Sequence, residues 1–271
     1  KYHIFIVSYP ITITRLRLTP LCFLLHDEQV FNRKGEYLRK WGECGQGNGF
    51  LDNPNNLAVS PLTGEVFVSD SGNNRIQVFD HRGNYIREWG VFGREDGQFE
   101  KCYGIAISRR QEIYVSDYKA NRIQVFTRYG EFVRQFGSGG RANGKFKSAH
   151  GVAISSTDEI FVVDINNHRV QVFDEAGNFL RKFGSFGHAD GEFDSPYCIA
   201  VHGSLDKVYV TDNGNNRIQV FTLAGHFIGS MGTAGEGDGQ FHCPNCVAIS
   251  SCNGDIFVSD NATSRIQVFV G

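Results

Sequence analysis

Residues 68–90 read VSDSGNNRIQVFDHRGNYIREWG, and most of this string recurs along the chain. Its centre, RIQVF or once RVQVF, begins at five arginines: Arg75, Arg122, Arg169, Arg217 and Arg265. An aspartate precedes each arginine by five residues, and successive aspartates are 47 or 48 residues apart: Asp70, Asp117, Asp164, Asp212 and Asp260. A period of this length indicates one supersecondary unit that packs against copies of itself.

Each repeat predicts four short strands. In the unit around Arg122 they fall roughly at 103–107, 112–117, 122–127 and 131–136. All four are rich in Ile, Val, Phe and Tyr and are bounded by Gly, Asn, Asp or Ser, which is typical of strands joined by tight turns. No helical period of 3.6 residues occurs. A four-stranded unit of this length, repeated without helices, indicates a β-propeller blade.

The repeated pattern resembles the NHL repeat over about residues 28–271, because Asp, Asn, Arg and the QVF strand stand at fixed offsets. NHL domains are typically six-bladed propellers and are best known as the C-terminal module of TRIM-NHL ubiquitin ligases. The resemblance therefore implies an all-β, six-bladed β-propeller of the NHL type. It also implies capture of a substrate or partner for a ubiquitin ligase whose RING domain lies outside this sequence.

The N-terminal blade is predicted to be degenerate. Residues Asp27–Phe31 read DEQVF, which keeps only the tail of the motif and has Asp27 where Arg belongs. We therefore divide the chain into a degenerate N-terminal segment, 1–26, and the NHL-repeat propeller, 27–271.

Three strands are missing from a ring of six blades: the outer strand of the last blade and the two inner strands of the first. Two prolines divide the N-terminal segment into three extended pieces, 2–8, 11–18 and 21–25, since proline is excluded from central strands. We expect these pieces to close the ring through shortened loops. The alternative is that residues 1–26 are not propeller sequence and that the ring is incomplete.

The composition favours a monomeric, cytoplasmic domain. The net charge is −2, so no overall field attracts nucleic acid or an anionic membrane. Seven cysteines are scattered without a disulfide-like framework, which favours a reducing compartment. Two arginines and two prolines interrupt the apolar residues 1–26, so we predict neither a signal peptide nor a membrane span there.

Two interpretations of the repeated Asp–Arg pairs are open. They are either metal or catalytic sites, or structural ion pairs. In each unit the aspartate ends the second strand and the arginine begins the third, so the two can share a charge-assisted hydrogen bond. A feature present in every blade marks the scaffold, whereas function usually breaks the symmetry. We expect the pairs to be structural and no metal to be bound.

One column of the repeat varies, and it stands two residues before the core of each first strand. Its members are Asn55, Tyr103, His150, Tyr197 and Asn245. First strands of a propeller begin at the mouth of the central channel, so these side chains should surround one face. They either form a recognition surface, for which tyrosine is a suitable anchor, or they plug the channel.

The loops between blades share that face and differ in charge. The loop 137–149 is basic, and Tyr118, Lys119 and Arg122 are expected near it; its cations are Arg141, Lys145 and Lys147. A polarised face suits a protein partner. The alternative is single-stranded RNA, which this few cations would bind only weakly and in a salt-sensitive way.

The sequence leaves enzymatic activity uncertain and predicts no cofactor. NHL repeats also resemble the propeller of peptidyl-amidoglycolate lyase, which holds zinc with several channel histidines, but the variable column supplies only His150. A propeller lyase or hydrolase is therefore the weakest alternative. Cys243 and Cys246 are spaced as half of a zinc site without a second pair. Cys246 shares a small-residue column with Cys198, Gly104 and Gly151, which favours packing.

Overall fold

A computed structural model describes residues 5–7, 16–17, 27–31, 36–203, 205–250 and 253–270. The strands are, in chain order, β1 (Phe5–Val7), β2 (Leu16–Arg17), β3 (Glu28–Phe31), β4 (Tyr37–Trp41), β5 (Pro54–Val59), β6 (Val66–Asp70), β7 (Arg75–Phe79), β8 (Tyr85–Trp89), β9 (Cys102–Ile107), β10 (Ile113–Asp117), β11 (Arg122–Phe126), β12 (Phe132–Phe136), β13 (Ala149–Ile154), β14 (Ile160–Asp164), β15 (Arg169–Phe173), β16 (Phe179–Phe183), β17 (Pro196–His202), β18 (Lys207–Asp212), β19 (Arg217–Thr222), β20 (Phe227–Met231), β21 (Thr233–Ala234), β22 (Gln240–Phe241), β23 (Pro244–Ile249), β24 (Ile256–Asp260) and β25 (Arg265–Phe269).

Five four-stranded sheets form the blades of a propeller. Blades 1 to 4 are β5–β8, β9–β12, β13–β16 and β17–β20, each with antiparallel neighbours. Blade 5 consists of β23, β24 and β25, with β2 as its outer strand. The first strands β5, β9, β13, β17 and β23 pack against one another in sequence, so they lie innermost around the axis.

The pattern of burial follows from the stacking of blades. In blade 1, every residue of the second and third strands is buried, whereas the outer strand alternates between exposed and partly buried residues. Aromatic rings fill the space between blades. For example, the ring centroid of Phe126 lies 5.6 Å from that of Phe99 and 5.8 Å from that of Trp89. Burial of each such ring stabilises the fold by roughly 1.5–3 kcal/mol.

The expected sixth blade is not formed as an NHL blade. The N-terminal sheet has three strands, in the order β1–β3–β4, and β1 runs parallel to β3, with Phe5 opposite Gln29. Neighbouring strands of a blade are antiparallel, so this sheet does not repeat the NHL topology. The prediction of six blades is therefore wrong, and the structure has five. The physical reason is that the residues around β3 keep only the tail of the motif, with Asp27 in place of the arginine, and the strand next to β3 is the parallel β1.

Two of the three pieces expected to close the ring carry strands. Residues of the piece 2–8 form β1 in the N-terminal sheet. Residues of the piece 11–18 form β2, which pairs antiparallel with β25 through Leu16 opposite Ile266 and Arg17 opposite Arg265. The piece 21–25 lies outside the described residues. The N-terminal segment thus contacts both the first sheet and the last blade.

Each Asp–Arg pair fastens an inter-blade loop to its blade. In blade 1, Asp70 accepts hydrogen bonds from Arg75 Nε at 2.8 Å and from the backbone nitrogen of Asp52 at 2.7 Å. Arg75 also donates to the backbone oxygens of Gly47 and Phe50, both at 2.9 Å. The equivalent ion pairs in blades 2 to 5 have N–O distances of 3.3, 2.8, 2.8 and 3.3 Å: Asp117–Arg122, Asp164–Arg169, Asp212–Arg217 and Asp260–Arg265.

The glutamine of the repeat completes this anchor. Gln77 donates from Nε2 to the backbone oxygen of Phe50 and accepts at Oε1 from the backbone nitrogen of Gly49 at 2.9 Å. Gly49 has a φ of 81°, a conformation that glycine adopts without strain. In the other blades the equivalent glutamine makes the same two hydrogen bonds, one to a backbone oxygen of the loop and one from a backbone nitrogen of the loop: Gln124, Gln171, Gln219 and Gln267.

Candidate functional site

A cavity of about 360 Å³ opens where the first strands begin. The inter-blade loops and the turns between second and third strands lie on this side of the propeller, which we call the cavity face. All five members of the variable column line the cavity, and Tyr118 joins them: Asn55, Tyr103, His150, Tyr197 and Asn245. The structure therefore brings together column side chains that are successively 47 or 48 residues apart in the sequence.

A β-bulge in each first strand presents the column residue to the cavity. In blade 2 the pairing of β9 with β10 shifts between Cys102 and Ile105, so that Tyr103 lies in the bulge. A bulge adds a residue to one strand and re-aims its side chain. Hydroxyl groups of the preceding blade hold three of these backbones, since Ser69, Ser116 and Thr211 donate to the carbonyl oxygens of Tyr103, His150 and Asn245.

Four aromatic rings cluster on one side of the cavity. Tyr103 lies 4.8 Å from both Tyr118 and His150, and His150 lies 5.0 Å from Tyr197, measured between ring centroids. The rings are tilted rather than stacked face to face, which is a favourable geometry for aromatic pairs. Burial raises the pKa of Tyr103, so its hydroxyl remains protonated at neutral pH.

His150 is neutral and is 6% exposed. Burial lowers the pKa of its imidazole to about 4. Its Nδ1 lies 3.0 Å from the carbonyl oxygen of Tyr197 and must donate, because a carbonyl oxygen only accepts. The neutral ring then carries its free lone pair on Nε2, so His150 offers the cavity a hydrogen-bond acceptor.

Asn245 adds an unpaired amide to the cavity wall. The residue is 7% exposed, and its side-chain amide has no hydrogen-bond partner in the described part of the chain. An amide that reaches the cavity without a partner in the chain is free to hydrogen-bond a ligand or water. The amide of Asn55, in the first strand of blade 1, likewise has no partner among the described residues. The cavity is thus built to pair with polar groups.

Lys101 is a lining residue that the sequence analysis missed. It stands two residues before Tyr103, at the end of an inter-blade loop, and its backbone nitrogen donates to Asp117 at 3.0 Å. None of the described Asp and Glu residues lines the cavity. The site therefore combines one cation with neutral polar groups and aromatic rings. Only the periodic position of Lys101, next to the variable column, could have indicated it.

The predicted basic residues lie beside the aromatic cluster as an exposed group. Lys119 lies in the turn between β10 and β11, and Arg141, Lys145 and Lys147 lie in the loop before β13; all four are exposed. None of them forms an ion pair within the described residues. On the neighbouring loop, Asp190 lies 3.7 Å from Arg217. The cavity face is therefore polarised between a basic and an acidic side.

The repeats can now be compared with known families. Residues 51–79, 146–173, 193–221 and 241–269 match the model of the NHL repeat. The chain is a β-propeller built of NHL repeats. No curated protein sequence matches this NHL propeller.

Solved structures of other propellers share the fold. Selenomethionine-substituted virginiamycin B lyase from Staphylococcus aureus is 16% identical, with a TM-score of 0.59 over 91% of this chain and 78% of the lyase chain. A catalytically inactive form of that lyase with quinupristin is 16% identical, with a TM-score of 0.64 over 95% and 85% of the two chains. A chain of a nidogen/laminin complex is 20% identical, with a TM-score of 0.53 over 66% and 64%. At these identities the similarity shows the fold alone.

Within residues 27–31, 36–203, 205–250 and 253–270, no three His, Cys, Asp or Glu side chains are grouped as metal ligands would be. In the same part of the chain, no helix has the length and apolar character needed to cross a bilayer.

Proposed function

We propose that this NHL propeller is a recognition module that binds a protein partner on the cavity face. The observation that carries the proposal is the amide of Asn245, which has no partner among the described residues and reaches a cavity walled by the rings of Tyr103, His150 and Tyr197. Tyrosines with unpaired polar neighbours are the features that make energetic anchors at interfaces. The framework repeats from blade to blade while this face varies, as expected where recognition has been added to a scaffold.

The partner contacts the cavity with a polar side chain and the surrounding loops with complementary charge. Among the described residues the cavity lining includes one cation, Lys101, and no carboxylate, which favours an acidic or amide side chain in the cavity. The exposed Lys119, Arg141, Lys145 and Lys147 favour acidic residues of the partner beside it, since opposite charges steer association. The solved propeller from a nidogen/laminin complex supports a protein as the ligand class of this fold.

We further propose that the propeller selects substrates or partners for a cytoplasmic ubiquitin ligase of the TRIM-NHL kind. The NHL repeats support this role, with the RING domain in another part of the protein. Ubiquitin transfer to the captured partner, measured with the full-length protein, tests it. Transfer that persists after loss of partner binding would contradict the role of the propeller as the selecting domain.

The test of partner binding compares a partly buried tyrosine of the cavity with an exposed tyrosine on the opposite side of the molecule. Tyr118→Ala removes a ring of the cavity cluster, whereas Tyr129→Ala removes a ring that is 64% exposed in the turn between β11 and β12, on the other face. Proteins captured by the wild-type chain should be lost with Tyr118→Ala and retained with Tyr129→Ala, at equal melting temperatures. Equal capture by both variants would contradict the cavity face as the binding site.

Single-stranded RNA is the second candidate ligand, favoured by the group of unpaired cations beside aromatic rings. Titration with single-stranded RNA at about 50 mM and about 200 mM salt distinguishes RNA recognition from protein recognition. Contacts to RNA phosphates release counterions, so RNA binding weakens as the salt concentration rises. RNA recognition requires measurable binding at low salt that weakens when Lys145 and Lys147 are both changed to Gln. A protein partner bound through Tyr118, without RNA binding at low salt, supports the first candidate.

A further inference from the structure

Two thiols from neighbouring blades meet next to residues that line the cavity. Cys198 lies in β17 and Cys246 in β23, one repeat apart, and their sulfur atoms are 3.3 Å from each other. The distance is short enough for a hydrogen bond between thiols and is about 1.3 Å longer than a disulfide bond. This contact differs from the Cys243–Cys246 spacing that the sequence displays.

The position of these cysteines explains why their sulfurs meet. The same column of the repeat holds Gly104 and Gly151, where first strands of adjacent blades approach closely. A Cβ atom on Gly151 would lie 2.9 Å from the Cα of Cys198. Side chains introduced in this column therefore point at the neighbouring strand, and in blades 4 and 5 they are the two thiols.

The surroundings of the pair favour chemistry with a small oxidant. Cys198 is 5% exposed and Cys246 is partly exposed, and each directly follows a cavity-lining residue, Tyr197 or Asn245. The hydrogen bond from Cys246 lowers the pKa of the Cys198 thiol, which increases its thiolate fraction. The partial exposure of Cys246 leaves the pair accessible to a small molecule.

We propose that Cys198 and Cys246 are a redox-active pair that a hydroperoxide converts into a disulfide between blades 4 and 5. The Cys198 thiolate attacks the peroxide, the O–O bond breaks, and the products are a sulfenic acid and, after protonation, water or an alcohol. Cys246 then attacks the Cys198 sulfur, the S–S bond forms, the S–O bond breaks, and water leaves. The two thiols lose two electrons and two protons, and the peroxide is reduced.

The disulfide would join the first strands of blades 4 and 5 next to Tyr197 and Asn245. Oxidation is therefore expected to fix the spacing of these two lining residues. The reaction itself requires no partner, so its test is independent of the proposed function.

The test uses the full chain, reduced and then exposed to hydrogen peroxide, with the remaining thiols alkylated and mapped by mass spectrometry. We expect a loss of two hydrogen atoms, a Cys198–Cys246 cross-linked peptide, and recovery of both thiols with dithiothreitol. Cys243→Ser should leave the cross-link unchanged, and Cys102→Ser should too, because that fully buried thiol has no cysteine partner among the described residues.

Cys198→Ser and Cys246→Ser should each abolish the cross-link, with circular dichroism of the reduced variants as the check on folding. If one variant fails to fold, the other gives the answer. A disulfide between Cys243 and Cys246, a disulfide with any other cysteine, or both thiols unmodified under conditions that oxidise free cysteine would overturn the proposal.

Discussion

A neutral imidazole at the centre of the aromatic cluster makes the stability of the protein depend on pH. The folded chain holds the pKa of His150 at about 4, whereas histidine in an unfolded chain titrates near pH 6.5. Between these values the unfolded state binds more protons, so the free energy of unfolding falls as the pH falls. The slope reaches about 1.4 kcal/mol per pH unit.

Urea unfolding at pH 7 and at pH 4.5 measures this effect. From the neutral to the acidic condition the wild type should lose about 2–3 kcal/mol more than His150→Gln, because only the wild type must exclude a proton there. His226→Gln, at an exposed position, is the control and should behave like the wild type. Equal losses in the wild type and in His150→Gln would show that His150 is protonated in the folded state.

The Asp–Arg pairs should contribute to stability rather than to binding. Asp117→Asn leaves the guanidinium of Arg122, which is 9% exposed, without a charge partner among the described residues. Loss of one partner of a buried ion pair costs about 3–5 kcal/mol. We expect a lower melting temperature and, below it, unchanged capture of partners by the cavity face. Weakened capture by the folded variant would instead assign the pair to the binding site.

Single residues also show what the sequence could and could not predict about the site. The variable column was identified because the repeat aligns its members, and the structure places all five around one cavity. Lys101 was missed because it precedes the strand, where the repeat is least regular. The contact of Cys198 with Cys246 was missed because it depends on the side-chain direction between blades, while the sequence displays only the nearer Cys243.

Among the elements, the turn between third and fourth strands is fixed by the closing aromatic residue of the preceding unit. Gly130 has a φ of 93°, and a Cβ atom there would lie 2.7 Å from the Trp89 ring. Gly130→Ala should therefore destabilise the protein by about 1–3 kcal/mol through strain and displacement of the ring. Gly229→Ala is the matched control, because Gly229 in β20 has open space around its Cβ position.

Thermal unfolding of both glycine variants tests this packing. We expect a clear decrease in melting temperature for Gly130→Ala and almost none for Gly229→Ala. A similar small effect at both positions would mean that the Trp89 ring can move away at little cost.

The strands were predictable because the repeat has two clear properties at the element level. Glycine or asparagine marks each turn, and Ile, Val and Phe fill each strand, so the predicted 122–127 corresponds to β11, Arg122–Phe126. The bulge of each first strand was not predicted, since it depends on pairing between Cys102 and Asp117 across the sheet. That pairing, rather than any local propensity, directs Tyr103 into the cavity.

For the whole molecule, the N-terminal segment should protect two sheet edges. β2 pairs with β25, and β1 pairs with β3. Removal of residues 1–26 exposes both edges, and unpaired strands associate with other chains. We expect residues 27–271 alone to melt at a lower temperature and to form oligomers in light scattering, and we expect the full chain to remain monomeric under the same conditions. A monomeric truncated chain of unchanged stability would show that these pairings contribute nothing.

For the whole molecule, the main prediction that was wrong is the number of blades. Five units carry the full Asp–Arg motif, and five four-stranded blades form. The sixth was expected from DEQVF at Asp27–Phe31, which does form β3. A sequence motif predicts the strand that bears it, but the parallel partner β1 comes from residues without any motif.

The anchoring of the loops has a consequence for how this surface can change. The Arg and Gln of each repeat donate hydrogen bonds to main-chain oxygens of the loop. The residue that supplies the shared oxygen differs from blade to blade: Phe50, Gln98, Lys145, Glu192 and Gln240. A hydrogen bond to the peptide backbone tolerates almost any amino acid at that position. Point mutations in these loops, in nature or in a designed library, can therefore change the proposed binding specificity of the cavity face without weakening the propeller.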